Sequence, residues 1–307
     1  MHTAEVLQLS QLLNHADPGA VIDEIEKILH FHYPAEDAKK IRDAYFWIEN
    51  LFVGKLPGYR ECTTEYHNLG HTRDVLLATA RLIDGHNLAK ALLAKDMALD
   101  LCCAALLHDS GYIQKDDDLE GTGAKYTSTH VERSMAFAMT YIPALGVPSA
   151  RADLIARLIS NTRVRPGSED SPKSEEERYA GAILCAADLL GQMADRAYLE
   201  KLIFLYREMR EAGLGDYKTE FDILRKTLGF YEVVRTRFEG PLMGVHEVVT
   251  PHFEKRYGIP RNLYMESIEH QMEYLKKIIS DDTTNFRKKL KRIDLEKVSL
   301  ARAADHS

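Results

Sequence analysis

Apolar residues recur throughout this sequence with the three-to-four-residue period of an amphipathic helix. Alternating strand patterns joined by Asn-Gly or Asp-Gly turns are not evident. We therefore predict an all-α fold. The predicted helices lie near residues 4–14, 20–31, 36–53, 69–84, 89–109, 130–142, 149–161, 176–191, 196–212, 217–238, 242–256 and 261–280.

The 307 residues are enough for one large domain or two modest ones. We expect an N-terminal helical region over 1–60 that packs on a core over 61–195, followed by a C-terminal helical extension over 196–307. No chemical motif is evident beyond about residue 192, so the extension is predicted to be structural or to support a homodimer. The polar connection 162–178 is predicted to be a lid or a solvated linker.

Composition and the sequence start narrow the class of protein. No apolar run of about 18 residues is present, so we expect no membrane span. The start, "MHTAEVLQLSQLLNHAD", lacks the basic residues and apolar block of a signal peptide. Four cysteines form no CxxC pair, as expected in a reducing cytoplasm. The net charge of −7 argues against non-specific nucleic-acid binding and would repel a phosphate unless a bound cation reversed the field locally.

One histidine is predicted to point into the protein core. In "EYHNLGHTRDVLLATA", His67 and His71 are four residues apart and share a helical face. Val75 and Ala78 continue the apolar stripe on which His71 lies. His71 should therefore point inward, where a polar ring needs a partner.

Two further apolar helices carry ionisable groups. "MALDLCCAALLHDSGY" ends in His108-Asp109, and Gly111 is a plausible helix stop that would let both side chains reach one point. "RYAGAILCAADLLGQM" places Asp188 among apolar residues, where an unpaired carboxylate would cost several kcal/mol. Each feature alone has a structural explanation; Asp188, for example, could pair with Arg196. Together they favour one divalent metal site.

The combination of His71, His108-Asp109 and Asp188 resembles the HD superfamily of metal-dependent phosphohydrolases, over roughly residues 60–195. The resemblance implies an HD-domain helical bundle with additional C-terminal helices. It implies that these four residues hold one divalent ion (Mn, Mg, Fe, Co or Zn), and that Asp109 contacts a second ion or accepts a proton. "YHNLGHTRDV" is similar to the cyclic-nucleotide phosphodiesterase signature, which assigns His67 as the proton donor to the leaving oxygen.

Several other residues are candidates for a second metal or for phosphate. His130 is preceded by Thr129 and followed by Glu132, a spacing that predicts a capping box and places His130 at a helix N-terminus. Asn68 either orients a ligand or begins the helix. Lys125 and Arg196 are candidate phosphate contacts.

The resemblance implies a hydrolase of a small phosphate monoester or diester, which we expect to be nucleotide-like. His130 is the only histidine between His108 and Asp188, which weakens the di-iron oxygenase alternative of the same fold. The base-selecting glutamine of cyclic-nucleotide enzymes could not be located. A non-catalytic regulatory module braced by metal is the remaining alternative.

Overall fold

The structure, a computed structural model, describes residues 7–163, 172–281 and 286–295. Within these ranges it contains eleven α-helices and no β-strand, apart from one isolated bridge between Tyr59 and Lys115. The predicted all-α class is confirmed. The helices are α1 (Pro18–His30), α2 (Ala35–Phe52), α3 (Leu69–Ala89), α4 (Lys95–Leu107), α5 (His130–Tyr141), α6 (Ala152–Ser160), α7 (Glu175–Met193), α8 (Tyr198–Glu211), α9 (Glu220–Glu239), α10 (Thr250–Tyr257) and α11 (Leu263–Ser280).

The helix bounds differ from the sequence prediction in several places; for example, α3 extends to Ala89 instead of 84, and α4 begins at Lys95 instead of 89. In the described part of 4–14 the structure has only a 3₁₀ turn, Leu9–Gln11. The helix predicted over 242–256 is a 3₁₀ turn followed by α10, because Pro251 has no amide hydrogen to continue an α-helix through this point. Residues 164–171 of the predicted lid or linker lie outside the described residues, and its last four residues, 175–178, belong to α7.

Helix α3 is the central helix, and it packs against α1, α4, α7 and α10. Its inward stripe is buried as predicted, including His71, Val75 and Ala78. Gly85 permits close packing near its end, since a Cβ there would lie 1.8 Å from the carbonyl oxygen of Val248. This packing fixes the position of α3, and its first turn carries His71.

Helices α4 and α7 are buried on almost all sides, as their apolar sequences indicate. Cys102, Cys103 and Cys185 are buried free thiols in these helices. The first turn of α3, the end of α4 and the middle of α7 meet inside the protein. The candidate site lies at this junction.

The C-terminal extension is packed onto the rest of the chain. Buried apolar residues from all three predicted segments belong to one core cluster, for example Ile48, Leu77 and Leu202. Helix α8 contacts α9, α11 and the 3₁₀ turn Gly123–Tyr126. The division into three segments stays a prediction. Among the described residues no helix has the length and apolar character needed to cross a membrane.

Candidate metal centre

His71 is oriented by the start of α3. Asn68 is the N-cap residue, and its side-chain oxygen accepts a hydrogen bond from the backbone N–H of His71 at 3.1 Å. The Asn68 side-chain amide donates to the carbonyl oxygen of Glu65 at 2.6 Å. Of the two roles predicted for Asn68, the structure shows the helix-starting one. The cap fixes the first turn and directs the His71 ring inward.

His108 and Asp109 follow the last residue of α4, where the helix ends and adjacent side chains can converge. The Nδ1–H of His108 donates to the carbonyl oxygen of Ala105 at 2.8 Å, which leaves the Nε2 lone pair free for a ligand. Gly111 is not the predicted helix stop, because α4 already ends at Leu107 and Gly111 lies in the 3₁₀ turn Ser110–Tyr112. Instead, its missing side chain allows close approach of α5, because a Cβ there would lie 2.0 Å from the carbonyl oxygen of His130.

Four side chains converge on one point, and we call His71, His108, Asp109 and Asp188 the metal cluster. The Nε2 atoms of His71 and His108 are 3.3 Å apart. Asp109 Oδ2 lies 3.4 Å from His71 Nε2 and 3.2 Å from His108 Nε2. Asp188 Oδ1 lies 3.2 Å from His71 Nε2 and 3.8 Å from His108 Nε2. The ligand atoms of His71, His108 and Asp109 are all within 4.8 Å of one another, close enough to share a metal ion.

The two carboxylates of the metal cluster are negative charges that a bound cation would balance. Burial by itself would lower the pKa of His108, but the carboxylates of Asp109 and Asp188 raise it to about 9. The nearby histidines likewise outweigh burial and hold the pKa of Asp109 well below its usual range. Asp109 Oδ2 is buried and has no hydrogen-bond partner among the described residues. Two imidazole nitrogens and two carboxylate oxygens fit a divalent transition metal, which would also neutralise both carboxylates.

His67 lies beside the metal cluster and is paired with a glutamate that the sequence analysis missed. Its ring centroid is 6.0 Å from that of His71. The Nδ1–H of His67 donates to Glu208 Oε2 at 2.6 Å, and the backbone N–H of Tyr66 donates to Glu208 Oε1 at 2.6 Å. Burial alone would lower the pKa of His67, but the Glu208 carboxylate outweighs it and raises that pKa. Helix α8 therefore contributes to the site, contrary to the purely structural or dimerising role predicted for the extension.

His130 completes a row of three stacked rings. The Tyr112 ring lies between His67 and His130, with centroid separations of 4.4 and 4.6 Å. The Nδ1–H of His130 donates to the carbonyl oxygen of Thr127, and its Nε2 lies 3.9 Å from Asp109 Oδ1. His130 therefore faces the carboxylate oxygen that is turned away from His71 and His108.

The predicted capping box at the start of α5 is wrong. Thr129 is the N-cap residue, but its side chain makes no capping hydrogen bond. The Thr129 hydroxyl instead donates to the carbonyl oxygen of Tyr126, at 3.4 Å. His130 is nevertheless the first residue of α5, as the sequence analysis predicted.

The structure does not bring two of the predicted phosphate contacts to the metal cluster. The Lys125 ammonium group pairs with Asp118 and donates to the carbonyl oxygen of Glu120. Arg196 is exposed and lines a separate surface pocket with residues such as Arg73 and Asp74. Asp188 pairs with His71 and His108, so the alternative pairing of Asp188 with Arg196 is not seen.

The metal cluster opens into a cavity of about 320 Å³. Its polar end is formed by His67, His71, Asp109, His130 and Asp188. Its other walls come from α7, α8, α9 and the connection between α8 and α9, and they are largely apolar. These walls include Leu189, Tyr198, Leu202, Leu205, Met209, Leu214, Ile223 and Phe230.

Comparisons with known proteins give one match. A family model described as Npun_R2479-like matches residues 116–239, a stretch that includes His130, Asp188 and Glu208. The match covers less than half of the chain and does not reach His71 or His108. No curated protein and no solved structure matches the chain.

Proposed function

We propose that this protein is a metal-dependent phosphoric ester hydrolase of the HD superfamily. One observation carries the proposal: buried imidazoles and carboxylates from α3, α4 and α7 converge within hydrogen-bonding distances while Asp109 Oδ2 keeps no hydrogen-bond partner. Within the described residues both carboxylates pair with histidines and not with arginine or lysine. A protein that needed this cluster only for packing would bury two carboxylates against titratable imidazoles instead of a permanent cation.

The metal cluster would hold the ion through His71 Nε2, His108 Nε2, Asp109 Oδ2 and Asp188 Oδ1. A divalent metal bound there would lower the pKa of a bound water and polarise a phosphoryl oxygen. Asp109 Oδ1 faces the cavity side of the cluster, near His130 Nε2, and is placed to accept the proton of the attacking water. His130 is placed to contact phosphate or to contribute to a second ion.

His67 would be the general acid that protonates the departing oxygen. Its Nδ1–H is held by Glu208, so its Nε2 carries the second proton when the ring is charged. The Glu208 carboxylate favours that charged form, which a proton donor requires. Stacking on Tyr112 fixes the ring plane beside the metal cluster. These three contacts support the role that the resemblance assigns to His67.

The experiment that tests this proposal combines metal analysis with a substrate panel. Protein purified without added metal is analysed for elements, stripped, and reloaded with Mn²⁺, Mg²⁺, Fe²⁺, Co²⁺ or Zn²⁺ separately. Each form is assayed against phosphate monoesters and diesters, including nucleotides. We expect about one tightly bound ion per chain and metal-dependent release of phosphate or of the alcohol.

Two outcomes would favour the alternatives. Bound iron with substrate-dependent oxygen consumption, and no hydrolysis, would indicate an oxygenase. Loss of folding on chelation, with no turnover across the full panel, would indicate a metal-braced regulatory module. We also propose a cytoplasmic location, supported by three buried free thiols that a reducing compartment would preserve.

A further inference from the structure

The cavity beside the metal cluster has two chemically different ends. Ionisable residues lie at one end, and apolar side chains of α8 and α9 form the other. Leu202, Leu205 and Met209 follow one face of α8 at helical spacing, and Ile223 and Phe230 face them from α9. A molecule that reaches the metal cluster must therefore place its remaining part against apolar walls.

Several polar groups in these walls already have partners inside the protein. Three threonine hydroxyls donate to carbonyl oxygens within the same local turn or helix: Thr127 to Ala124, Thr162 to Ile159 and Thr227 to Ile223. The Lys226 ammonium group donates to the carbonyl oxygen of Asp216.

The three threonine hydroxyls can still accept a hydrogen bond, but they have no proton left to donate to a nucleobase. The buried Tyr112 hydroxyl, which also lines the cavity, has no partner among the described residues.

The amide and guanidinium groups of the walls are engaged as well. Gln192 Oε1 accepts from the Tyr66 hydroxyl at 2.8 Å, and Gln192 Nε2 donates to Asp188 Oδ1 at 3.4 Å. Arg237 Nη2 donates to Cys185 Sγ and to the carbonyl oxygen of Arg163. Specificity for a polar ligand normally comes from a few convergent polar groups, and in the walls from α7, α8 and α9 such groups are outnumbered by apolar side chains.

We infer that the substrate is a phosphate monoester of a compact apolar alcohol, alkyl or aryl, rather than a nucleotide; this inference rests on the proposed function. The phosphate would lie at the metal cluster and the apolar group between α8 and α9. In the reaction a water oxygen forms a bond to phosphorus and the phosphorus–oxygen bond to the alcohol breaks. The departing oxygen takes a proton from His67, and the products are inorganic phosphate and the free alcohol.

The inference is tested by binding, with every ligand titrated calorimetrically into the same metal-loaded His67→Ala variant. The ligands are methyl-, butyl-, hexyl- and octylphosphonate, which cannot be hydrolysed, and adenosine 5′-monophosphate, whose hydrolysis this variant should slow strongly. Burial of each methylene in an apolar wall should tighten binding about fourfold until the cavity is full. We expect the longer alkylphosphonates to bind more tightly than both methylphosphonate and the nucleotide.

A pair of variants ties this chain-length effect to the proposed wall. Leu205→Asn should reduce the advantage of octyl- over methylphosphonate about tenfold, because it replaces an apolar contact with an amide. Val233→Asn is the matched control, since Val233 is 53% exposed on α9 and does not line the cavity; it should leave the advantage unchanged. Circular dichroism of both variants checks that they are folded.

The outcomes separate this inference from the proposed function. If phosphate esters are hydrolysed but affinity does not rise with chain length, or the nucleotide binds best, the inference is overturned and the hydrolase proposal stands. An unchanged octyl advantage in Leu205→Asn also overturns the inference. If no phosphonate binds and no phosphate ester is hydrolysed by the metal-loaded protein, both fail.

Discussion

Two buried groups of histidine and aspartate lie along α3, and they differ in how the negative charge is balanced. The metal cluster lies at the first turn, and the second group surrounds Asp84 near the last turn. There, His32 donates to Asp84 Oδ1 and His252 donates to Oδ2, each at 2.6 Å. Arg256 donates to both oxygens, at 2.7 and 3.1 Å. We call these four residues the Asp84 network.

The Asp84 network contains a permanently charged guanidinium group, whereas the cationic groups that face the carboxylates of the metal cluster in the described residues are titratable imidazoles. Burial alone would raise the pKa of Asp84, but the hydrogen bonds from His252 and Arg256 outweigh it and lower that pKa. Both carboxylate oxygens of Asp84 are satisfied by the protein. In the metal cluster, Asp109 Oδ2 has no such partner among the described residues. The comparison shows two ways to place a buried carboxylate along α3: Asp84 pairs with an arginine at one end, and we propose that Asp109 and Asp188 pair with a bound metal ion at the other.

The largest expected effect comes from removing Asp109. Asp109→Ala should lose both bound metal and turnover, because the variant lacks one of four ligands and the carboxylate nearest the reaction. Elemental analysis and the hydrolysis assay measure the two losses. Metal retained at one ion per chain would contradict the assignment.

The sequence could predict the metal cluster because its residues interrupt apolar helices. His71, His108 and Asp188 lie in segments whose period already predicts burial. Buried ionisable groups need partners. Because three buried helices of one chain carry such groups, the sequence predicts that the groups share one partner, a metal ion. The structure brings these residues together as that reasoning required.

The same signal also marks Asp84, which the sequence analysis passed over. Asp84 follows Leu82 and Ile83 in α3, so it is a carboxylate in an apolar helix just as Asp188 is. The two differ because Asp84 pairs with Arg256, which is 172 residues away in sequence. Only the tertiary packing of α10 on α3 reveals that pairing.

Glu208 was missed for a related reason. It lies three residues after Leu205 and four after Phe204, so it falls on the inward face of α8. An acidic residue on such a face was a usable but weak signal, because glutamate is common in helices. Its partner, His67, lies 141 residues earlier in the sequence. The local spacing of apolar residues does not indicate a contact between residues so far apart.

The second prediction separates catalysis from metal binding within the same region. His67→Ala should keep the bound ion but lose activity about 10²–10⁴-fold, the usual contribution of a general acid. Metal content and turnover are measured on the same preparation. Asn262→Ala, at the N-cap of α11 and outside the described lining of the cavity, is the control and should alter neither property. If His67→Ala lost its metal, His67 would be a ligand and the division of roles would be wrong.

The third prediction applies the comparison to the Asp84 network. Asp84→Asn should lower the free energy of unfolding by about 3 kcal/mol, because Arg256 and two histidines lose their buried counter-charge. Denaturant unfolding measures this loss. Metal content per folded chain should not change, in contrast to Asp109→Ala. If Asp84→Asn lost its metal without losing stability, the Asp84 network and the metal cluster would not have distinct functions.

The smallest expected effect comes from Glu208, which acts on the reaction through His67. Glu208→Gln keeps an acceptor for the Tyr66 amide but removes the charge that raises the pKa of His67. Turnover near neutral pH should fall about tenfold, as for other partners that orient a functional histidine, with metal content unchanged. A general acid is active below its pKa, so a lower pKa should move the alkaline limb of the activity profile to lower pH. A uniform loss of activity with an unmoved limb would show that Glu208 only supports the local structure.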